Sequence, residues 1–252
     1  MNGAFFIGAT GLRAQQGALD VVASNIANIN TPAFKRSQVR FAQLLGAAPP
    51  DIEVGPAGME SLGGVALDDK TRVFAQGDLR QTGDPMALAI NGEGFIELLG
   101  PEGRIELWRG GTLKVNQDGF LAAQNGMPLR AMISVPAETT KLEIDRSGVV
   151  SATSDAGIEE IGRIELVRAR DVSDLQAIDD GLFEVSDEAN LFGSPAGEEG
   201  AGVIVQGSIE TSNVQLSDEM VMLLLMQRAY AANAQVVQAG DQLMAIANGL
   251  RR

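Results

Sequence analysis

Apolar residues recur every seven positions at both ends of this chain. Phe5, Leu12, Leu19 and Ile26 form one series, and Leu216, Leu223, Tyr230, Val237 and Met244 form another. A seven-residue apolar repeat keeps a seam turned toward a partner helix. The spacing predicts a helix from about Ala4 to Ile29 and a second from about Val214 to Leu250. A second row in the first helix, Gly8, Gln15, Val22 and Ile29, is mixed in character. That helix should end near Asn28–Asn30, where asparagine tolerates the left-handed cap and Pro32 disfavours helix in Thr31. Ser217 before Asp218 and Glu219 reads as the N-terminal cap of the second helix, and Arg251 and Arg252 complement its C-terminal dipole. Met220–Met226 is apolar all round, so it needs cover on several sides. One partner helix cannot supply that, and neighbouring copies of the chain are the simplest source.

The middle has a different texture. Short β-prone runs, Ala87–Ile90, Phe95–Leu99, Ile105–Trp108, Thr112–Val115, Leu142–Ile144, Val149–Ser151, Ile161–Ala169 and Leu182–Val185, alternate with turn signals. Asn91-Gly92, Gly110-Gly111, Asp118-Gly119, Asn125-Gly126, Ser147-Gly148 and Asp180-Gly181 are such signals. The expected fold class is α+β, with the terminal helices pairing as a coiled coil around a mostly antiparallel β middle. Residues 1–30 then form the first helix, 31–85 linker and extended segments, 86–205 a β-rich domain, and 206–252 the last helix with its lead-in. Ala47-Ala48-Pro49-Pro50 and Gly55-Pro56-Ala57-Gly58 cannot continue a helix and mark the linker.

Composition narrows the chemistry. With no cysteine and no histidine, disulfides, thiolate nucleophiles, Cys/His zinc sites and a Ser-His-Asp triad are all excluded. The net charge of −14 is uneven: residues 1–45 carry +3 and residues 206–252 carry −1, which leaves −16 on the middle. An acidic middle repels nucleic acid. The longest apolar run, Met220–Met226, is far short of the roughly 20 residues that span a bilayer, so no membrane insertion is expected. The N-terminus has no basic region and no signal-type apolar stretch, so no cleaved signal peptide is expected. Asn116-Gln117-Asp118-Gly119 has the wrong ligand spacing for calcium and reads as a hairpin turn. Asp68-Asp69, Asp179-Asp180 and Glu198-Glu199 are adjacent carboxylates beside turns, which suits solvated charge rather than paired acid–base work. No enzyme, cofactor or metal is implied.

Several motifs together resemble the flagellar rod and hook protein family. They are Thr10-Gly11-Leu12-Arg13-Ala14-Gln15-Gln16, Ala23-Ser24-Asn25-Ile26-Ala27-Asn28 and Asn30-Thr31-Pro32-Ala33-Phe34-Lys35-Arg36 near the start. Gln76-Gly77-Asp78-Leu79 and Ile90-Asn91-Gly92-Glu93-Gly94-Phe95 follow, then Glu210-Thr211-Ser212-Asn213-Val214 and Gln227-Arg228-Ala229-Tyr230. Ala33 stands where the motif commonly has glycine. The two ends look most like the distal-rod, G-type members, whereas Ile161–Val167 with Asp180–Phe183 looks closer to the proximal, F-type members. The resemblance implies a self-assembling subunit of a tubular axial polymer, with terminal helices as the inner coiled-coil layer and the β domain outside. It further implies export by the flagellar type III apparatus, a place in the basal body spanning the periplasm, and torque transmission from motor to hook. Implied partners are further copies of the chain, other rod and hook proteins, and the basal-body ring proteins.

The expected assembly interface is Phe5, Leu12, Leu19, Ile26, Leu216, Met220, Leu223, Tyr230, Val237 and Met244, and the family motif contributes Asn25, Asn28, Asn30, Thr31, Pro32, Phe34, Lys35 and Arg36. Lys35, Arg36 and Arg40 form a basic cluster, which is either a solvated face or a match for acidic side chains of an adjacent subunit. The alternative of another class is a discrete coiled-coil adaptor. It would not polymerise.

Overall fold

The structure, a computed structural model, describes residues 2–44, 64–172, 175–178, 181–185, 190–198 and 200–249. Helix α1 spans Asn2–Ala27 and α2 spans Leu216–Gly249, close to the two predicted helices. Between them lie strands β1 (Ser37–Leu44), β2 (Gly64–Arg72), β3 (Leu79–Gln81), β4 (Ala87–Asn91), β5 (Phe95–Leu99), β6 (Ile105–Trp108), β7 (Gly110–Val115), β8 (Leu121–Ala123), β9 (Lys141–Ile144), β10 (Val149–Ser154), β11 (Gly157–Arg163), β12 (Leu166–Ala169), β13 (Leu175–Ala177), β14 (Leu182–Val185), β15 (Leu191–Ser194), β16 (Val203–Gln206) and β17 (Ser208–Glu210). The pairings among the described strands are antiparallel, and the class is α+β. Among the described residues, no helix is long and apolar enough to cross a membrane.

The chain forms two compact units. The helical unit comprises Met1–Ala27, Ser37–Val73 and Gln215–Arg252, and the β unit comprises Asn28–Arg36 and Phe74–Val214. Residues 31–85, read from sequence as linker, are therefore shared between the units, and part of them forms the β1–β2 hairpin. The predicted linker signals at 47–50 and 55–58 lie outside the described residues, as do Asp179, Asp180, Glu199, Arg251 and Arg252.

In the β unit the largest sheet has the order β13-β14-β6-β5-β12-β15 and a second has the order β16-β4-β7-β8. Both faces of the larger sheet are covered, which explains why adjacent residues of β5, β6 and β12 are apolar, broken only by Glu97, Glu106 and Arg168. Ile96, Leu98, Trp108 and Leu166 enter a main core with Leu88, Ile90, Leu121 and Ile164, while their neighbours Phe95, Leu107 and Val167 enter a second core with Phe183. Successive side chains of a strand point to opposite faces, so a strand between two cores needs no polar positions. The run Ile161–Ala169, predicted as one strand, is two. Ile164 is fully buried in the main core and its N–H donates to Gly148 O at 2.7 Å, which takes the chain out of β11 before β12 begins. The Asn116–Gly119 segment is a turn, with Asn116 Oδ1 accepting from the N–H groups of Asp118 and Phe120.

Candidate assembly interface

In the helical unit, α1 and α2 pack antiparallel along a seam of small residues. A Cβ added at Gly8 would lie 2.6 Å from Val237 Cγ2, and one at Gly11 would lie 2.9 Å from Asn233 Nδ2. At the other end Asn25 Nδ2 donates to Glu219 Oε2 at 3.2 Å. Among the described residues of α1, Gly8, Ala14, Ala18, Val21, Val22 and Asn25 are buried and form its inward row. Leu12, Leu19 and Ile26 flank it and are half-buried, as are Leu223 and Val237 on α2. A leucine at the centre would hold the helices apart, whereas glycine and alanine let the backbones approach. The helices of Phe5 and Met244 are described, but their side chains lie outside the described residues.

Helix α2 starts one residue before the predicted cap. The N–H groups of Asp218 and Glu219 both donate to Gln215 O at 3.1 Å, so Ser217 sits inside the first turn. Glu219 has no exposed surface. It shares Asn25 with Ser37, whose N–H donates to Asn25 Oδ1 at 2.9 Å and whose carbonyl accepts from Asn25 Nδ2 at 2.9 Å. This polar cluster ties α1, α2 and β1 together. A buried polar residue in a helix seam fixes register, because slipping would strand it without partners.

The other side of α2 is apolar and uncovered. Met220, Val221, Leu224, Leu225, Val236, Leu243 and Ile246 are 51–63% exposed, with Leu216 and Tyr230 somewhat less so. Met220, Val221, Leu224 and Leu225 cluster at one- and three-residue steps, and beyond Arg228 the large apolar side chains are sparser, Val236 and Leu243 lying seven residues apart and Ile246 three further on. Isolated surface leucines are ordinary, but several exposed large apolar side chains grouped along one helix are a feature of partner-binding surfaces.

In the β unit the family-motif residues converge on a buried ion node. Lys35 is 1% exposed and donates from Nζ to Glu210 Oε1 at 2.6 Å and to Ala75 O at 2.9 Å. Arg109, from the β6–β7 junction, donates to Glu210 Oε2 through Nε at 3.2 Å and Nη2 at 3.0 Å, and to Gly94 O at 2.6 Å. The Gly77 N–H completes the shell of Glu210 Oε1 at 2.9 Å. A Cβ at Gly77 would lie 2.0 Å from Thr211 O, so only glycine lets this backbone pass. Lys35 therefore belongs neither to a solvated face nor to a contact with another subunit, because Glu210 of its own chain holds it in the interior. Arg36 contributes its N–H to Asn213 Oδ1 at 2.7 Å, and Asn213 Nδ2 donates to Ala75 O at 2.9 Å. Asn28 and Thr31 close the preceding turn, with Thr31 N donating to Asn28 O at 3.1 Å, while Asn30 and Pro32 are exposed and Phe34 is half-buried. Ala33 is buried at φ +57°, the left-handed conformation for which the motif's usual glycine is suited, and its N–H donates to Glu210 O at 2.9 Å.

The node holds two cations and one carboxylate. Burial pushes the Lys35 ammonium below the ordinary lysine value, and the attraction of Glu210 only partly opposes this. Arg109 was not singled out by the sequence reading. It follows the apolar strand β6 directly and precedes Gly110-Gly111, and a charged residue in that setting was the available signal.

Comparison with known proteins places these features in three matched segments. A family profile described as flagella basal body rod protein matches residues 6–35, one described as flagellar hook protein FlgE/F/G D1 domain matches 89–152, and one described as flagellar basal body rod FlgEFG protein C-terminal matches 205–250. The chain is 32% identical to the flagellar basal-body rod protein FlgG of Borreliella burgdorferi, over all of both chains. It belongs to the flagellar basal-body rod protein family. FlgG of Caulobacter vibrioides is also 32% identical, over 96% of this chain and 97% of that one, and FlgF of the same organism is 30% identical over 96% and 95%. Each charged member of the node falls in a different matched segment: Lys35 in the first, Arg109 in the second and Glu210 in the third. The rod-family signature is thus joined in space by one ionic cluster.

Proposed function

We propose that this rod-family chain is a structural subunit of the flagellar basal-body rod that polymerises through its terminal helices into a tubular axial shaft. The observation that carries the reading is the uncovered apolar surface of α2, from Met220 to Ile246, on a helix whose opposite side is already engaged by α1. In the polymer, helices of neighbouring copies cover that surface and extend the pair into a coiled-coil layer, with the seam residues Leu223, Tyr230 and Val237 at its margins. Torque is then borne by many repeated apolar contacts. The greater number of FlgG-named relatives supports the distal segment of the rod, next to the hook. Rod and hook proteins, the surrounding rings and the flagellar export apparatus are the partners this role requires.

Leu224→Asp tests the reading. Leu224 is 56% exposed, so the substitution leaves the subunit's own fold intact. Covering a carboxylate in an apolar interface costs several kcal/mol per copy, on the order of 3 kcal/mol or more. Subunits with a wild-type circular dichroism spectrum that fail to polymerise are expected. Normal assembly of Leu224→Asp would remove that helical surface from the interface.

A further inference from the structure

Strand β11 ends its sheet, pairing only with β10 among the described strands. It is joined to β10 by a two-residue turn between Ser154 and Gly157, and Gly157–Glu160 are all exposed. Ile158 is 73% exposed, more than any other large apolar side chain described. It is flanked by Asp155, Glu159 and Glu160, and neither glutamate makes an ion pair among the described residues. A free edge carrying an uncovered isoleucine is a template for pairing with another chain. The carboxylates restrict that pairing, since they repel any acidic edge and admit a basic one.

The β unit offers such an edge. Strand β15 ends the six-stranded sheet and exposes Phe192 by 44%. Phe192 lies directly across from Arg168 on β12, and the Arg170 guanidinium stacks over its ring at 4.9 Å. A Cβ added at the neighbouring Gly193 would meet nothing within 4 Å, so the edge beside Phe192 is open. Arg168 is ion-paired with Glu93 at 2.8 Å, and both line a cleft of about 670 Å³ together with Arg170, Val172 and Phe74. An exposed aromatic bracketed by arginines has the composition of interface hot spots.

We propose that the β11 hairpin of one copy docks on the Phe192–Arg170 edge of a second copy, Ile158 against Phe192 and Glu160, on the same face of β11 as Ile158, against Arg170. The two patches differ, so the contact is head-to-tail and propagates as an open polymer rather than closing a dimer. The proposal rests on the reading of the chain as a self-assembling subunit, and adds a contact between β units to the helical one. Against a chain charge of −14, an arginine edge also gives an otherwise self-repelling surface a specific point of attraction.

Because the chain has no cysteine, position can be tested covalently. A chain carrying both Ile158→Cys and Phe192→Cys is assembled into polymer and oxidised. A disulfide needs Cα atoms within about 7 Å, so the docked arrangement gives a ladder of trimers, tetramers and higher species, and either single-cysteine variant gives none. A polymer without the ladder overturns the proposal. Charge reversal gives a second readout. Glu160→Lys or Arg170→Glu alone should each raise the concentration needed for assembly about tenfold, and combining them in one chain should restore it. Reversals that leave assembly unchanged, or that fail to compensate, count against the contact. Failure of the helical reading is separate, because it is read from polymerisation of Leu224→Asp, which leaves both edges untouched.

Discussion

Replacing Glu210 by glutamine removes the one anion that two buried cations share, at nearly constant shape. In the native node, Lys35 and Arg109 have side chains 1% and 5% exposed, and Glu210 has none exposed. Deleting one partner of a buried pair costs about 3–5 kcal/mol, because the remaining charge stays desolvated and unpaired. Here two charges are left, so the upper part of that range is expected. Glu184→Gln is the control: its partner Arg104 is 59% exposed, and such a surface pair contributes about 0–1 kcal/mol. Trp108 is the only tryptophan and is buried in the main core beside Arg109, so its fluorescence reports unfolding of the β unit by itself. With a urea dependence of about 2 kcal/mol per M, the Glu210→Gln midpoint should fall by about 2–2.5 M, and that of Glu184→Gln by less than about 0.5 M. Equal midpoints for the two variants would show that the node does not hold the β unit together.

Lys35→Met should cost less than Glu210→Gln in the same assay, since it leaves Arg109 and Glu210 as a balanced pair. The lowered ammonium of Lys35 also has a pH signature. Between its folded value and 10.5 the unfolded chain binds more protons, so wild-type stability relative to Lys35→Met should rise as pH climbs through that window, and a flat difference would contradict the burial argument. Asp145 is held below its ordinary carboxyl value mainly by the hydrogen bond from the Ser147 side chain, so Ser147→Ala should move its titration upward in an NMR series; the stability that this shift contributes is present above pH 3.8 and is lost as pH falls through the lower folded value. Gly77→Ala would set a methyl 2.0 Å from Thr211 O and should destabilise the β unit by about 1–3 kcal/mol by urea titration. Gly8→Leu should separate α1 from α2 and reduce polymer yield without changing the Trp108 transition.

The helices were legible because an apolar repeat at each end survives any tertiary context. Sequence reading ranks large apolar residues first, so it passed over the small residues at the closest approach of the two helices. Packing here favours Gly8, Gly11, Ala14 and Ala18, whose value lies in close approach rather than in hydrophobic area. Strands β4 to β6 were read closely since turns bound them, whereas Gly110-Gly111, read as a turn, opens β7, and the break at Ile164 was invisible, being set by a bond to Gly148 that no local pattern announces. The ion node was legible only in pieces. Lys35, Arg109 and Glu210 are separated by 74 and 101 residues, and a motif marks each region without saying that they meet. Burial turned Lys35 from an expected surface charge into a core residue. The exposed apolar surface of α2, by contrast, agrees with the argument that Met220–Met226 needs more cover than one helix supplies.

Hydrogen exchange on free subunit and on polymer tests the central claim most directly. If neighbouring copies complete the cover of α2, amides across 216–249 should exchange readily in the free chain and slow by about 100-fold or more on assembly, while β4, β5 and β6 stay equally protected in both states. Equal protection of α2 in the free and assembled chain would mean that its partners are already present within one subunit, and a discrete adaptor would then describe the molecule better than an axial subunit.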